Sequence, residues 1–248
     1  MLCAQHSDST KLKLDVSLNG NISEGNSARW ILINRIGINY KFGNGFTTIE
    51  HSDYYLYGKV QGRRFENNLL DRTILNFNAN KKVIPFAAFF LESYPIRNLD
   101  VRWQPGLGVK YQLIQKKGLL IEPAVMFSRS YQKFKASRFK DFDNDDSDEI
   151  ETNYLTAIVN LKAQLFNGKL MLINNFWYQY DLDGNENHRL FYDAKAIVKL
   201  NDTFGLQLIM TNYWENVVQS VRGEGPVGPP IEKNDFVIAY GISAKLSK

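Results

Sequence analysis

Cysteine is nearly absent from this chain of 248 residues, in which Cys3 is the single one. A disulfide within the chain is therefore excluded, and so is a metal site built from several cysteines. The chain also lacks a run of 18 apolar residues, which excludes a transmembrane helix. Neither sign of charge dominates, since 30 Lys and Arg face 26 Asp and Glu. This balance, without a clustered basic stripe, argues against a nucleic-acid partner.

What the chain does contain is an alternation of apolar and polar residues that runs from Lys11 to Lys248. In the clearest segment one face carries Leu99, Val101, Trp103, Leu107, Val109, Tyr111 and Leu113, and the other carries Asp100, Arg102, Gln104, Lys110 and Gln112. Successive side chains of a β-strand point to opposite faces, so each such segment predicts a strand with one apolar and one polar face. Repeated along a whole chain, the pattern is typical of a membrane β-barrel with an apolar exterior and a polar lumen.

We predict an all-β protein, a single antiparallel transmembrane barrel of about twelve strands. The predicted strands are Lys11–Glu24, Ala28–Phe42, Ser52–Gln61, Asp71–Asn80, Val83–Tyr94, Leu99–Ile114, Leu119–Lys135, Asn153–Phe166, Lys169–Tyr180, Arg189–Leu200, Phe204–Gln219 and Asp235–Leu246. Tight links such as Asn167-Gly168 alternate with long ones, above all Asp141–Glu149 and Arg222–Pro230. Short turns at one end and long loops at the other predict periplasmic turns and extracellular loops.

The chain divides into a short leader and one domain. Met1 to Gln5 is similar to the tail of a secretory signal peptide, with cleavage after Ala4. A lipidated Cys3 is the alternative. We therefore assign residues 1–10 to a signal-peptide remnant with a flexible N-terminus, and residues 11–248 to an outer-membrane barrel.

Charged residues of both signs have the parity of the inner face, which makes the lumen the candidate functional region. They are Lys13, Asp15, Arg35, Lys41, Glu92, Asp100, Arg102, Lys110, Glu122, Asp193, Lys195, Lys199, Glu215, Asp235 and Lys245. Such charges either select permeating ions or pair across a narrow lumen and fill it. We expect hydrogen-bonded pairs, with Arg102, Glu122, Asp193 and Lys195 as members, because an unpaired charge shielded from water is costly.

Aromatic residues near the predicted strand ends suggest interfacial girdles. Trp30, Tyr40, Trp103 and Tyr111 share the lipid-facing parity of their strands. Lipid is therefore one expected partner.

The acidic loop is the one candidate metal site. Asp141, Asp143 and Asp145 have the first three spacings of a calcium-binding loop, but Asp146 stands where glycine is required, and Thr152 replaces the closing glutamate. A solvated loop without a cation is the competing interpretation.

Three short stretches carry a resemblance to a known family. They are Tyr57-Gly-Lys-Val-Gln-Gly-Arg-Arg64 with Glu66-Asn-Asn68, Pro105-Gly-Leu-Gly-Val-Lys-Tyr111, and Lys233-Asn-Asp235 before the last strand. With them the chain resembles the salt-induced outer-membrane proteins, a barrel family of undefined function. The resemblance covers nearly the whole chain and implies an outer-membrane barrel without catalytic residues.

Two functions are favoured equally by the sequence. One is a narrow channel for ions or small polar solutes, and the other is an accessory subunit that contacts other envelope proteins. An outer-membrane hydrolase acting on lipid is a third alternative. No G-x-S-x-G, H-E-x-x-H or phosphate loop occurs, and we identify no serine nucleophile beside His51 or His188. We therefore predict no enzyme and no cofactor, and localisation in the bacterial outer membrane.

Overall fold

The computed structural model describes residues 12–23, 29–42, 47–60, 63–94, 99–134, 149–184, 187–216 and 234–247. Its strands are β1 Leu12–Ser23, β2 Arg29–Phe42, β3 Thr47–Val60, β4 Arg63–Phe77, β5 Val83–Tyr94, β6 Leu99–Tyr111, β7 Ile114–Lys116, β8 Leu119–Phe134, β9 Glu149–Leu165, β10 Leu170–Asp181, β11 Arg189–Lys199, β12 Phe204–Glu215 and β13 Asn234–Ser247. One 3₁₀ turn, Phe166–Gly168, joins β9 to β10. None of the helical segments described is long and apolar enough to cross a membrane.

Consecutive strands pair with each other, except for β6 and β7, and the sheet closes on itself. β1 pairs with β13, and β6 pairs with β8, all antiparallel. β7 continues the line of β6 after an interruption at Gln112 and Leu113, so the closed barrel has twelve strands. The predicted all-β antiparallel barrel is confirmed. Closure leaves no unpaired sheet edge, which is the condition for a β-structure to span hydrocarbon.

The two ends of the barrel differ as the loop lengths predict. The turns β4–β5, β7–β8, β9–β10 and β11–β12 lie at one end, which we call the turn end. The strand ends that flank residues 135–148 and 217–233 lie at the other, the loop end. Left-handed residues lie in three of these turns: Asn78 at φ 54°, Gly118 at φ 81° and Gly168 at φ 83°.

The two faces of the wall have opposite chemistry. Leu107, Val109, Val198 and Ile238 are exposed on the outside, as their parity predicts. Buried polar residues such as Asn19, Gln104 and Thr156 line the inside. The exterior is therefore an apolar wall suited to lipid.

Two strands begin earlier than their side-chain pattern predicts. β3 begins at Thr47 rather than Ser52, and β4 at Arg63 rather than Asp71. The first residues of both strands are mostly polar on both faces. The predicted strands began only where apolar and polar residues start to alternate, so these residues were left out. Backbone pairing between β3 and β4 extends the strands without requiring apolar side chains there.

One irregularity reverses a predicted face. The register of β6 against β8 shifts between Leu99 and Val101. Leu99 is therefore buried inside, whereas Asp100 is exposed and does not have the predicted inward parity. An extra residue in one strand of a pair inverts the faces beyond it.

Candidate functional site in the barrel lumen

A charged cluster crosses the lumen near the loop end. Arg102 donates hydrogen bonds to Glu92 at 2.7 Å, Glu215 at 2.8 Å and Gln132 at 2.8 Å, and contacts the Tyr213 hydroxyl at 2.7 Å. Glu215 also accepts a bond from Nε of Arg189 at 2.9 Å. Two guanidinium groups therefore balance two carboxylates. We call Arg102, Arg189, Glu92 and Glu215 the loop-end cluster.

The topology explains how these residues meet. Arg102 lies directly opposite Glu92 in the β5–β6 ladder and opposite Gln132 in the β6–β8 ladder. Glu215 belongs to β12, which is nearly opposite β6 in the ring of twelve strands. The Arg102 side chain therefore spans the lumen rather than lying along one wall.

A second ion pair lies deeper in the barrel. Both terminal nitrogens of Arg35 bind Asp193, at 2.9 and 2.8 Å, and one of them also binds Thr211 at 3.1 Å. This two-pronged arrangement is the strong form of the arginine–carboxylate pair. Lys195 interacts electrostatically with Arg35, Asp193 and Arg72. Asp15 also interacts with Lys195, so three cations face two carboxylates at this level.

An apolar partition fills one side of the same level. Phe86, Phe90, Met126, Ile158 and Trp177 pack together inside the barrel. From the opposite wall, Arg72 places its guanidinium 5.2 Å from the centre of the Trp177 ring. The nearly continuous apolar run of β5 supplies this partly apolar inner face, with Phe86 and Phe90 buried.

A cavity of about 100 Å³ lies between the loop-end cluster and the partition. Its lining includes Tyr54, Asn68, Arg102, Trp177 and Arg189. Several buried donors around it have no protein partner among the described residues, including the Asn68 amide, Nε1 of Trp177 and one terminal nitrogen of Arg189. Buried donors of this kind require water or a polar solute as a partner.

Toward the turn end the lumen carries a third polar layer. The Asn76 amide donates to Glu50 at 2.8 Å and to Thr48 at 3.0 Å. Lys110 lies 3.8 Å from Glu50 and 5.2 Å from the centre of the Phe86 ring. Lys162 also interacts electrostatically with Glu50.

The structure gives different surroundings to the four lumen charges that were predicted from the sequence. Arg102 and Asp193 are centres of the two cross-lumen ion pairs, and Lys195 is beside the second. Glu122 is half-buried and faces Asn160, far along β8 from the Gln132 that faces Arg102. Arg102 and Glu122 are therefore not partners, because the register places them at different heights.

Four charged residues of these layers were not selected from the sequence: Arg72, Arg189, Glu50 and Lys162. Arg189 has the same parity as Asp193 within a correctly predicted strand, so the parity rule alone would have found it. Glu50 lies before the predicted start of its strand, and Arg72 is the second residue of its predicted strand; no face was assigned to either. Lys162 lies within a predicted strand but was not chosen.

The predicted girdle residues lie on the outer wall. Tyr40, Trp103 and Tyr111 are exposed there, and the Trp103 ring is 5.5 Å from that of Tyr131. Trp30 lies in β2, with its side chain outside the described residues. Their placement at a membrane interface stays a prediction. The candidate calcium ligands Asp141, Asp143 and Asp145 lie outside the described residues, as does the predicted leader of residues 1–10.

The chain is similar to one family of sequences and to several solved barrel structures. The model of a family described as "Protein of unknown function, DUF481" matches residues 7–224. The solved NanC porin has a TM-score of 0.52 at 10% identity, with 95% of this chain and 99% of that chain covered. The KdgM porin has a TM-score of 0.48 at 10% identity, with 95% and 99% covered. The translocator domain of the autotransporter NalP from Neisseria meningitidis has 0.46 at 14% identity, with 97% and 89% covered.

The likeness to the NanC porin shows a shared barrel fold and says nothing of a solute. The sequence matches none of the curated proteins. The finer designation as a salt-induced outer-membrane protein is not tested by these matches and stays a prediction.

Proposed function

The chain belongs to the DUF481 family, and for this member we propose a narrow channel of the bacterial outer membrane that conducts ions or small polar solutes and favours anions. The observation that carries the proposal is the chain of charged layers along the lumen, with a cavity between them. The apolar outer wall supports the membrane location. The turn end would lie in the periplasm and the loop end outside the cell.

The preference for anions follows from the charge of the layers. The loop-end cluster is balanced. In the middle layer Arg35, Arg72 and Lys195 face Asp193 and Asp15. In the turn-end layer Lys110 and Lys162 face Glu50 and the inward Glu122, which lies beside Lys162 in the neighbouring ladder, so this layer is balanced. The middle layer therefore has one cation in excess, and excess charge of one sign in a pore selects ions of the other sign.

Low conductance follows from three contacts that cross the lumen: Arg102 with Glu215, Arg35 with Asp193, and Arg72 with Trp177. We call them the lumen bridges. The ion pairs join separate parts of the wall, and Trp177 packs with Phe90 and contacts Arg72 from the other wall. Buried donors around the cavity would bind the permeating solute or its water on the way through.

The test measures selectivity. Purified protein in a planar bilayer under a KCl gradient should give small conductance steps and a reversal potential on the anion side. Lys195→Gln removes the excess cation of the middle layer and should move the reversal potential toward zero. The matched control is Lys133→Gln. The Lys133 ammonium lies on the outer wall, 3.1 Å from Glu149, and does not face the lumen. This control should behave as the wild type.

An accessory or structural role in an envelope complex is the second candidate, and the lumen bridges favour it. The same experiment separates the two. If neither the wild type nor variants that remove the lumen bridges give conductance steps, the channel is contradicted and the accessory role is supported. If the wild type gives the large conductance steps of a general porin, the lumen bridges do not narrow the pore. A lipid hydrolase has no support from the barrel structures that this chain resembles.

A further inference from the structure

Four polar side chains face outward from the middle of the barrel wall. Buried Thr48, Leu56 and Gly58 define the inner face of β3, so His51 and Asp53 lie on the outer face. Buried Asn68 and Asn76 define the inner face of β4, so Asp71 and Thr73 lie on the outer face. The ladder places His51 opposite Thr73 and Asp53 opposite Asp71. We call His51, Asp53, Asp71 and Thr73 the outer-wall cluster.

Apolar residues surround this cluster on every side. On β2, Ile36 pairs with Asp53 and Ile38 with His51. On β5, Leu91 pairs with Asp71 and Phe89 with Thr73. Along the strands, Ile49 and Leu75 flank the cluster toward the turn end, and Leu69 flanks it toward the loop end. The cluster is therefore an island of ionisable groups inside the lipid-facing wall.

An island of this composition needs compensation. Like charges directly opposite each other in an antiparallel ladder destabilise it even in water. Charged groups on the lipid face of a barrel are more costly still near the midplane. Polar residues in such places are by default functional, with a partner that offsets their charge.

The geometry suits a cation as that partner. Nε2 of His51 is 3.2 Å from Asp53, and Nδ1 is 3.8 Å from Asp71 and 2.9 Å from the Thr73 hydroxyl. One ligand atom from each of His51, Asp53 and Asp71 falls within 4.8 Å of the others. Imidazole nitrogen and carboxylate oxygen bind Zn²⁺ at about 2.0–2.2 Å, so this group needs only a small contraction to hold one ion.

We propose that His51, Asp53 and Asp71 bind one divalent cation of the Zn²⁺ type on the membrane-facing wall. Two carboxylates and a neutral imidazole carry a charge that one divalent ion cancels. A single lysine or arginine of a partner protein would leave one carboxylate uncompensated. The mixed nitrogen and oxygen donors select transition ions over Ca²⁺ and Mg²⁺. The proposal is independent of conduction through the lumen.

The test titrates Zn²⁺ into the full-length barrel, stripped with EDTA and held in detergent micelles, against a chromophoric chelator. We expect one tight equivalent in the wild type. His51→Gln and Asp71→Asn should each weaken its affinity at least tenfold. His188→Gln changes the other described histidine and should leave the affinity unchanged. Equal binding by all four proteins, or none by the wild type, would overturn the proposal.

A second readout separates a lost ligand from a misfolded variant. In EDTA, Asp71→Asn should raise the melting temperature of the barrel, because it removes one of two facing carboxylates from the apolar wall. In excess Zn²⁺ the order should reverse, with the wild type the more stable protein. A variant that is less stable than the wild type in EDTA would show that the acidic pair needs no cation, and the proposal would fail.

Discussion

Arg102 is the residue whose replacement tests the lumen most directly. Its side chain is 3% exposed, and it has polar contacts to Glu92, Glu215, Gln132 and Tyr213. Arg102→Met keeps the volume of the side chain but leaves the loop-end cluster with one uncompensated carboxylate. We expect the free energy of unfolding to fall, and the single-channel conductance to rise because the bridge to Glu215 is lost.

The magnitude follows from what remains after the change. Breaking a buried ion pair costs about 3–5 kcal/mol. Glu215 keeps its 2.9 Å bond from Arg189, and the Glu92 side chain is 22% exposed and can be hydrated. The loss should therefore lie at the lower end, at about 3 kcal/mol. Adding Glu92→Gln restores the charge balance of the cluster, so the double variant should recover about 1–2 kcal/mol.

The assay is urea unfolding of the barrel in lipid vesicles, followed by tryptophan fluorescence and by the migration of folded and unfolded protein in gels. Arg129→Met is the matched control, because Arg129 pairs with Glu151 on the exposed outer surface. It should cost less than about 1 kcal/mol. The reasoning is refuted if Arg102→Met costs no more than this control, or if Glu92→Gln adds to the loss instead of reducing it.

Two further predictions concern the wall. Val109→Lys places a charge on the exposed apolar face and should destabilise the barrel by about 2–4 kcal/mol in vesicles, whereas Val109→Ile should not. Gly241→Ala should impair closure, because its Cβ would overlap the Leu18 carbonyl oxygen and the Cα of Asn19 at the β1–β13 seam. Gly37→Ala is the control, since its nearest contact would be an ordinary 3.7 Å. Equal yields of folded barrel from both glycine variants would contradict the second prediction.

Much of the barrel was predictable because its information is local. The backbone makes successive side chains alternate between the two faces, so the residues of one strand are enough to identify its lipid-facing side, as Leu107 and Val109 do in β6. Loop lengths are also read directly from the sequence, and they distinguish the two ends of the barrel. Prediction fails where the local signal is weak. The start of β3 is polar, so His51 was assigned to a loop and the outer-wall cluster was not recognised. The register shift beside Leu99 cannot be detected by counting alternate residues, so the face of Asp100 was predicted wrongly.

The partners of lumen charges depend on the closed barrel. Glu92 is the direct neighbour of Arg102 in one hairpin, and the hairpin alone brings the two together. Glu215 is 113 residues from Arg102, and no local pattern relates them. Their contact requires twelve strands, a particular register at every ladder and closure through β6 and β8. Within regular strands the sequence by itself determined which residues face lipid and which face the lumen, because side-chain parity is a property of one strand. Only the tertiary structure decided which inward charges of distant strands meet, because height and angle around the barrel add up over all the strands between them.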